Sequence, residues 1–373
     1  MTLSTMLFNF IALLSLLLTT THSYPASFED TISTNSINST LISTNVANST
    51  LVPRYYSVGD QRDGSAAFGP WPFDVVDEVN GNQAPIYYCY EGADAILHLP
   101  LIFVDIFAKW ERAVRLSALS FRPDPSCNGI LECGCSDSAC RPDTLRIKAI
   151  HDGGSYATGG YNYASNTPGR HYLGLQWSDP QYEENRAQMV FTGTHEMGHV
   201  IGLHHEHQRP DRDYEVEFRC DNLWGYAKAF NKVVDARQDP LSPIQLPDCN
   251  FPKWLTDEEC MLQEVCKFPG YQDIFPEAYP YITGNYLEKF EGFVYPQARL
   301  DTSSIMIYNS YINTNWNYEG FPDPEFPDGA VLVGVNSDHT LYEILTGGNK
   351  DPAKRVVSDG DVSRVVQLYP KGN

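Results

Sequence analysis

The sequence predicts an α+β fold built on a mixed sheet and long helices. Three observations carry this. A strand-like run rich in aromatic and β-branched residues is followed by apolar residues at helical spacing. Three more strand-like segments then precede a His-rich helical stretch, and a capping signal opens a last helix near the C-terminus. With 373 residues, 42% of them hydrophobic, the chain can bury one large domain or two lobes that share a core.

Met6 to Leu18 is apolar apart from Asn9 and Ser15, and the small residues Thr21 and Ser23 follow, which is the pattern of a secretory signal over residues 1–23. No Lys or Arg precedes this run. An uncleaved anchor is the alternative, but about 13 apolar residues fall short of the ~20 that span a bilayer, so no stable membrane insertion is expected. Residues 24–54 are rich in Ser, Thr and Asn and too poor in large apolar side chains to fold alone. They read as a propeptide or linker extending to about residue 70. Its sequons, Asn38-Ser39-Thr40 and Asn48-Ser49-Thr50, are glycan acceptors in the secretory pathway.

Ala84 to Tyr90 has the aromatic and β-branched content of a strand, with Pro85 suited to a strand start or edge. Phe103, Ile106, Phe107, Trp110 and Val114 fall three and four apart, which puts one apolar stripe of a helix toward a core. Thr144–Ile150, Tyr156–Tyr163 and Tyr172–Trp177 read as strands, the middle one bent at Gly159 and Gly160. Ser358 with Asp361 forms a capping box for a helix that carries Val362, Val365, Val366 and Tyr369.

Lys and Arg number 26 against 47 Asp and Glu, a formal charge of −21. Such a field repels nucleic acid and anionic membrane and keeps the chain soluble, so no nucleic-acid partner is expected. The nine cysteines all follow the apolar segment, where an oxidising compartment favours disulfides. Four disulfides and one remaining Cys is the arithmetic, with the connectivity left open. The cluster Cys127, Cys133, Cys135, Cys140 has the alternative of a second zinc site, but its spacing fits no paired C-x-x-C pattern.

The chemistry concentrates in HEMGHVIGLHHE, His195 to Glu206. His195 and His199, four apart, lie one turn above each other on a helix and converge on one ion. Glu196 projects toward the same cleft, where a carboxylate is needed to take a proton from metal-bound water. Gly202 ends the helix through a left-handed backbone, so the chain turns back and His205 reaches the metal. Three neutral imidazoles leave a fourth position open, which marks a catalytic zinc site rather than a closed structural one, with one Zn2+ per chain. His204 and His207 lie off this pattern and read as exposed or supporting residues.

Met306 in SSIMIY, Ser303 to Tyr308, resembles the Met-turn of the metzincin zinc proteases, an apolar floor beneath the metal. The continuation HEHQRPDRD, His205 to Asp213, is similar to the astacin family of metzincins in placing Glu206 after the third His and then an R-x-D-R-D run from Arg209. The resemblance is strong over about 25 residues. It implies a zincin (metzincin) fold: an upper lobe of about 71–206 with a twisted mixed sheet, two long helices and the zinc helix, an irregular lower lobe of about 207–373, and the zinc cleft between them. It implies a secreted zinc endopeptidase that hydrolyses peptide bonds of protein or peptide substrates and is made as a latent precursor. Tyr308 would be an additional zinc ligand that swings away to hydrogen-bond the oxyanion, and Glu206 would pair with the mature N-terminal amine. Asp60, in Ser57-Val58-Gly59-Asp60, would cap the zinc before processing. The strand near Tyr156–Tyr163 would edge the cleft and hold an extended polypeptide by main-chain hydrogen bonds.

Two rivals stand beside this. One is a metzincin hydrolase of different substrate range, against which Tyr308 and the R-x-D-R-D run argue. The other is a catalytically dead, zinc-stabilised binding protein, which would be expected to lack Glu196 or a ligand. About 100 residues, with four cysteines among them, separate His205 from Met306, more than is typical of the family.

Overall fold

The structure is a computed structural model that describes residues 57–58, 62, 67–77, 81–127, 133–135, 139–178, 183–239, 242, 257–267, 273–283, 300–314 and 328–372. The expected signal segment, both sequons, Asp60 and Cys249 lie outside the described residues. Among the described residues no helix is long and apolar enough to cross a membrane.

The chain runs through β1 (Phe68–Gly69), β2 (Val75–Asp77) and β3 (Gly81–Glu91) into three short helices, α1 (Ala93–His98), α2 (Pro100–Lys109) and α3 (Glu111–Leu116). Next come β4 (Leu119–Pro123), β5 (Leu145–Ile150), β6 (Tyr156–Ala157), β7 (Tyr161–Asn162), β8 (Tyr172–Gln176) and the long α4 (Glu183–Ile201). β3, β5 and β8 pair in parallel in that order, and β4 lies parallel to the middle of β3, Ala84 to Tyr88. β2 and β6 are antiparallel, which makes the sheet mixed, and β6 is its edge strand beyond β8.

Burial explains the centre of this sheet. Ala84, Ile86, Tyr88, Cys89 and Tyr90 are all buried, so β3 is covered on both faces, as a central strand in a mostly parallel sheet must be. The ladder to β5 begins only at Tyr88, beyond Pro85. The expected apolar stripe is present but divided between two helices. Phe103 and Ile106 on α2 are buried, and the chain breaks at Trp110, whose fully buried ring donates from Nε1 to Thr194 O in the middle of α4. A bulky indole seeking that carbonyl outweighs helix continuity. The expected strand over 156–163 is likewise split at Gly159–Gly160. β6 stays in the main sheet, whereas β7 pairs with β1.

Past α4 come β9 (Val216–Phe218), α5 (Tyr226–Gln238), α6 (Asp257–Val265), β10 (Leu332–Val335) and β11 (Leu341–Glu343). β10 pairs with both β9 and β11 in a second, three-stranded antiparallel sheet. A second core forms around it, including Leu223, Val233, Phe275, Tyr281 and Leu332. The last helix, α7 (Asp359–Leu368), opens with the Ser358–Asp361 capping box. Its Val362, Val365 and Leu368 join the first core, with Met306 and Ile305. Tyr369 fastens it there: its hydroxyl donates to Ile201 O at the end of α4 and accepts from Trp71 N.

Three disulfides occur among the described residues: Cys89–Cys135, Cys127–Cys133 and Cys220–Cys266. Cys260 is also disulfide-bonded. Three of the four clustered cysteines are thus spoken for by sulfur rather than by a second metal.

Candidate active site

The site is built at the end of α4. Gly202 has φ +110°, and the chain closes the helix with Leu203 N donating to Gly198 O and Gly202 N donating to His199 O. These are the two bonds of a Schellman cap, which needs a left-handed residue where Gly202 stands. A Cβ there would also meet Val58 Cγ2 at 2.7 Å, because Val58 is buried against this turn and donates its N–H to Gly202 O. The turn returns the chain so that His205 faces the helix it has just left.

The three imidazoles converge. His205 Nε2 lies 3.1 Å from His195 Nε2 and 3.1 Å from His199 Nε2. Nitrogens sharing a tetrahedral zinc at ~2.0–2.1 Å stand about 3.3 Å apart, close to this spacing. The other ring nitrogens fix the tautomers. His195 Nδ1 donates to Ile305 O at 2.8 Å, His199 Nδ1 to Leu203 O at 2.9 Å, and His205 Nδ1 to Gln208 Oε1 at 3.2 Å. Carbonyl oxygens only accept, so each ring carries its proton on Nδ1 and turns the Nε2 lone pair inward. Burial lowers all three below the usual His range and keeps them neutral, and at His199 and His205 the neighbouring imidazoles add to it. Three facing lone pairs with no proton between them repel unless a cation sits among them. The residues therefore fit a zinc ion, and His195, His199 and His205 are the one such group of metal-competent side chains found among the described residues.

Glu196 and Tyr308 line one pocket with His195, a cavity of about 190 Å³ with Phe191, Thr192 and Ile307 in its wall. Glu196 is 8% exposed, and burial pushes its carboxyl up to about 8 in the absence of a cation. The Tyr308 phenol is raised by burial and then by Glu196, so it stays protonated as a donor. Its ring centre lies 4.6 Å from that of His205 and 6.2 Å from that of His195. The structure thus brings together all five residues expected at the metal and the carbonyl.

Met306 is buried under α4, and a Cβ on Gly198 would meet its sulfur at 2.4 Å, so only a glycine lets the turn approach this closely. Glu206 is also buried. Its Oε1 accepts from Arg209 Nη1 at 2.7 Å and from Asp301 N at 3.0 Å. Burial pushes Glu206 up to about 7 while Arg209 pulls it back. Arg209 also grips Asp211 with two bonds, and Arg212 donates to His207 O and Tyr281 O, so the R-x-D-R-D run braces the loop behind the third His. His207 is fully buried. Its Nε2 donates to Pro280 O and its Nδ1 accepts from Tyr308 N, which makes it a support for the Tyr308 backbone rather than an exposed residue.

Sequence reasoning missed Gln208, the partner of His205, and the carbonyl of Ile305, the partner of His195. A polar residue three after a ligand is a usable signal for the first; a backbone carbonyl leaves none for the second.

Comparison with known proteins bears on the same segment. Residues 183–242 match the family model of astacin, peptidase family M12A. Astacin-like metalloprotease toxin 2 from Loxosceles intermedia is 62% identical over 29 residues, which is 8% of this chain and 11% of that protein. High choriolytic enzyme 1, a hatching-enzyme zinc protease from Oryzias latipes (medaka fish), is 13% identical with a TM-score of 0.42, covering 81% of this chain and 95% of that one. A structure of myroilysin is 13% identical with a TM-score of 0.40, covering 82% of this chain and 97% of its own.

Proposed function

We propose, from the premise that the chain is an astacin-family member over the segment that builds its metal site, that it is a zinc-dependent endopeptidase acting on protein or peptide substrates. The observation that carries this is the inward convergence of the three Nε2 lone pairs, beside a buried carboxylate and phenol in one pocket. A zinc ion held by His195, His199 and His205 supplies Lewis acidity toward water and the scissile carbonyl.

The protein side chains do the rest. Glu196, as carboxylate, accepts a proton from the attacking water and then delivers it to the leaving amine nitrogen. Its place in the pocket beside His195 and Tyr308 puts its carboxyl within the site where both transfers occur. Tyr308 donates its phenolic hydrogen to the carbonyl oxygen as negative charge builds there, a bond stronger in the transition state than in the ground state. β6, the antiparallel edge strand, offers free main-chain groups that can hold an extended substrate.

The chain is further proposed to be secreted and latent. The apolar N-terminal segment, the disulfides and the Ser/Thr/Asn-rich stretch with its sequons support this. Asp60 is proposed as the latency ligand on the strength of the Gly59-Asp60 pair. Glu206 is proposed as the partner of the processed N-terminal amine. It bonds Asp301, and Asp301 lines a cavity of about 1000 Å³ with Ser303, Ser358 and Asp359, room enough for a chain end.

The test is cleavage of an unfolded protein by the purified zinc-loaded chain after proteolytic removal of the segment up to about residue 70, with and without a chelator. Cleavage that stops on chelation and returns with zinc is expected. No cleavage by the processed zinc-loaded chain, or cleavage that persists without metal, overturns the proposal.

A further inference from the structure

One buried carboxylate reaches two of the three metal ligands through the turn beneath them. Asp361, at the first turn of α7, is 1% exposed. As the N3 member of the capping box it accepts from Ser358 N at 3.0 Å, an ordinary helix-end duty. It also does something the helix does not require. Oδ1 accepts from Ser304 Oγ at 2.6 Å and Oδ2 from Ile305 N at 2.9 Å, 57 and 56 residues back in the chain. With its proton given to Asp361, Ser304 Oγ turns a lone pair to Met306 N and accepts from it at 2.9 Å. The N–H groups of Ile305 and Met306 are therefore both held by Asp361, one directly and one through a hydroxyl.

The carbonyls of the same two residues face the metal site. Ile305 O accepts from His195 Nδ1 at 2.8 Å, and Met306 O accepts from Glu206 N at 3.0 Å, the residue bonded to His205. His199 takes its support from Leu203 O, within the helix end, and lies outside this network. A carboxylate that receives N–H and O–H donors polarises them and orders the peptide planes they belong to, and groups that orient a ligand's second nitrogen sharpen its hold on metal.

We propose that Asp361 is a positioning residue for the metal centre: through Ser304 and the Ile305 and Met306 peptides it sets the ring of His195 and the backbone at His205, so that zinc affinity depends on the C-terminal helix. This rests on the zinc-site reading above. It adds that a helix start far along the chain tunes that site.

The experiment measures zinc affinity, by competition with a chromophoric chelator, together with thermal stability for four purified full-length proteins: the unaltered chain, Asp361→Asn, Ser304→Ala and Ser358→Ala. The asparagine keeps shape but offers one poorer and one lost acceptor to the turn. Ser304→Ala cuts the relay to Met306 and leaves the helix cap intact. Ser358→Ala removes the cap hydroxyl, which accepts from Asp361 N and donates to Asp301 Oδ2, and leaves both bonds from Asp361 to the turn in place. Zinc affinity is expected to fall roughly 10-fold or more in Asp361→Asn, by a smaller factor in Ser304→Ala, and to stay unchanged in Ser358→Ala despite its lower melting temperature. Unchanged affinity in Ser304→Ala and in any folded Asp361→Asn protein overturns the proposal, as does a loss in Ser358→Ala that matches theirs. Should Asp361→Asn not fold, Ser304→Ala against Ser358→Ala decides alone. Failure of the unaltered chain to bind zinc is a different result and strikes the site itself.

Discussion

At Glu196 two demands meet. A general base must be a carboxylate, yet 92% of its surface is out of water, and no cation among the described residues offsets the burial. Its carboxyl accordingly rises to about 8, and an ion on the adjoining imidazoles restores the charged form by proximity. Two outcomes follow for Glu196→Gln. The variant should bind zinc and lose hydrolysis by about 10²–10⁴-fold, checked by metal content and peptide turnover. In the metal-free protein, folding favours the protonated Glu196, so native stability falls as pH rises from about 4.5 toward about 8. Glutamine removes that dependence. Denaturant unfolding of the two metal-free proteins should therefore show the variant gaining on the original chain across this window and a constant difference below it; equal pH profiles would contradict the burial argument.

At the scale of elements, α4 and the turn under it work as a pair, and Gly198 is where they touch. Adding a methyl there puts a Cβ 2.4 Å from the Met306 sulfur, which forces the turn or the helix aside. Gly198→Ala should destabilise the protein by about 1–3 kcal/mol by thermal unfolding and weaken zinc binding, since the displaced turn carries the His195 partner. A variant with unchanged melting and zinc affinity would show that the turn tolerates displacement. These elements also show what is legible in a sequence. His195, Glu196, His199 and Gly202 declare themselves because helical spacing and the left-handed turn are local rules, and the Schellman bonds bear that out. The capping box at Ser358 was equally legible as a helix start. Its second role was not, because the Asp361 contacts to Ser304 and Ile305 close a loop of more than fifty residues and leave no periodicity. For the same reason the break at Trp110 escaped notice: its cause is a carbonyl on α4, 84 residues away.

Across the whole molecule, the site is assembled by parts remote in sequence. The sheet and α2 carry α4; the loop behind His205 is braced by buried Arg209 and Arg212; and α7, last in the chain, joins the first core under the turn. Beyond α4 the described residues form a second sheet of β9, β10 and β11 and a second core, features whose short strands gave weak alternation in the sequence. All of this converges on one point between three nitrogens. Diffraction from crystals of the zinc-loaded chain, recorded at the zinc absorption edge, tests that point directly. The account predicts one anomalous peak about 2.0–2.1 Å from Nε2 of His195, His199 and His205, with a further coordination position facing Glu196. A peak held by other side chains, or no peak among these rings in zinc-saturated crystals, would contradict it.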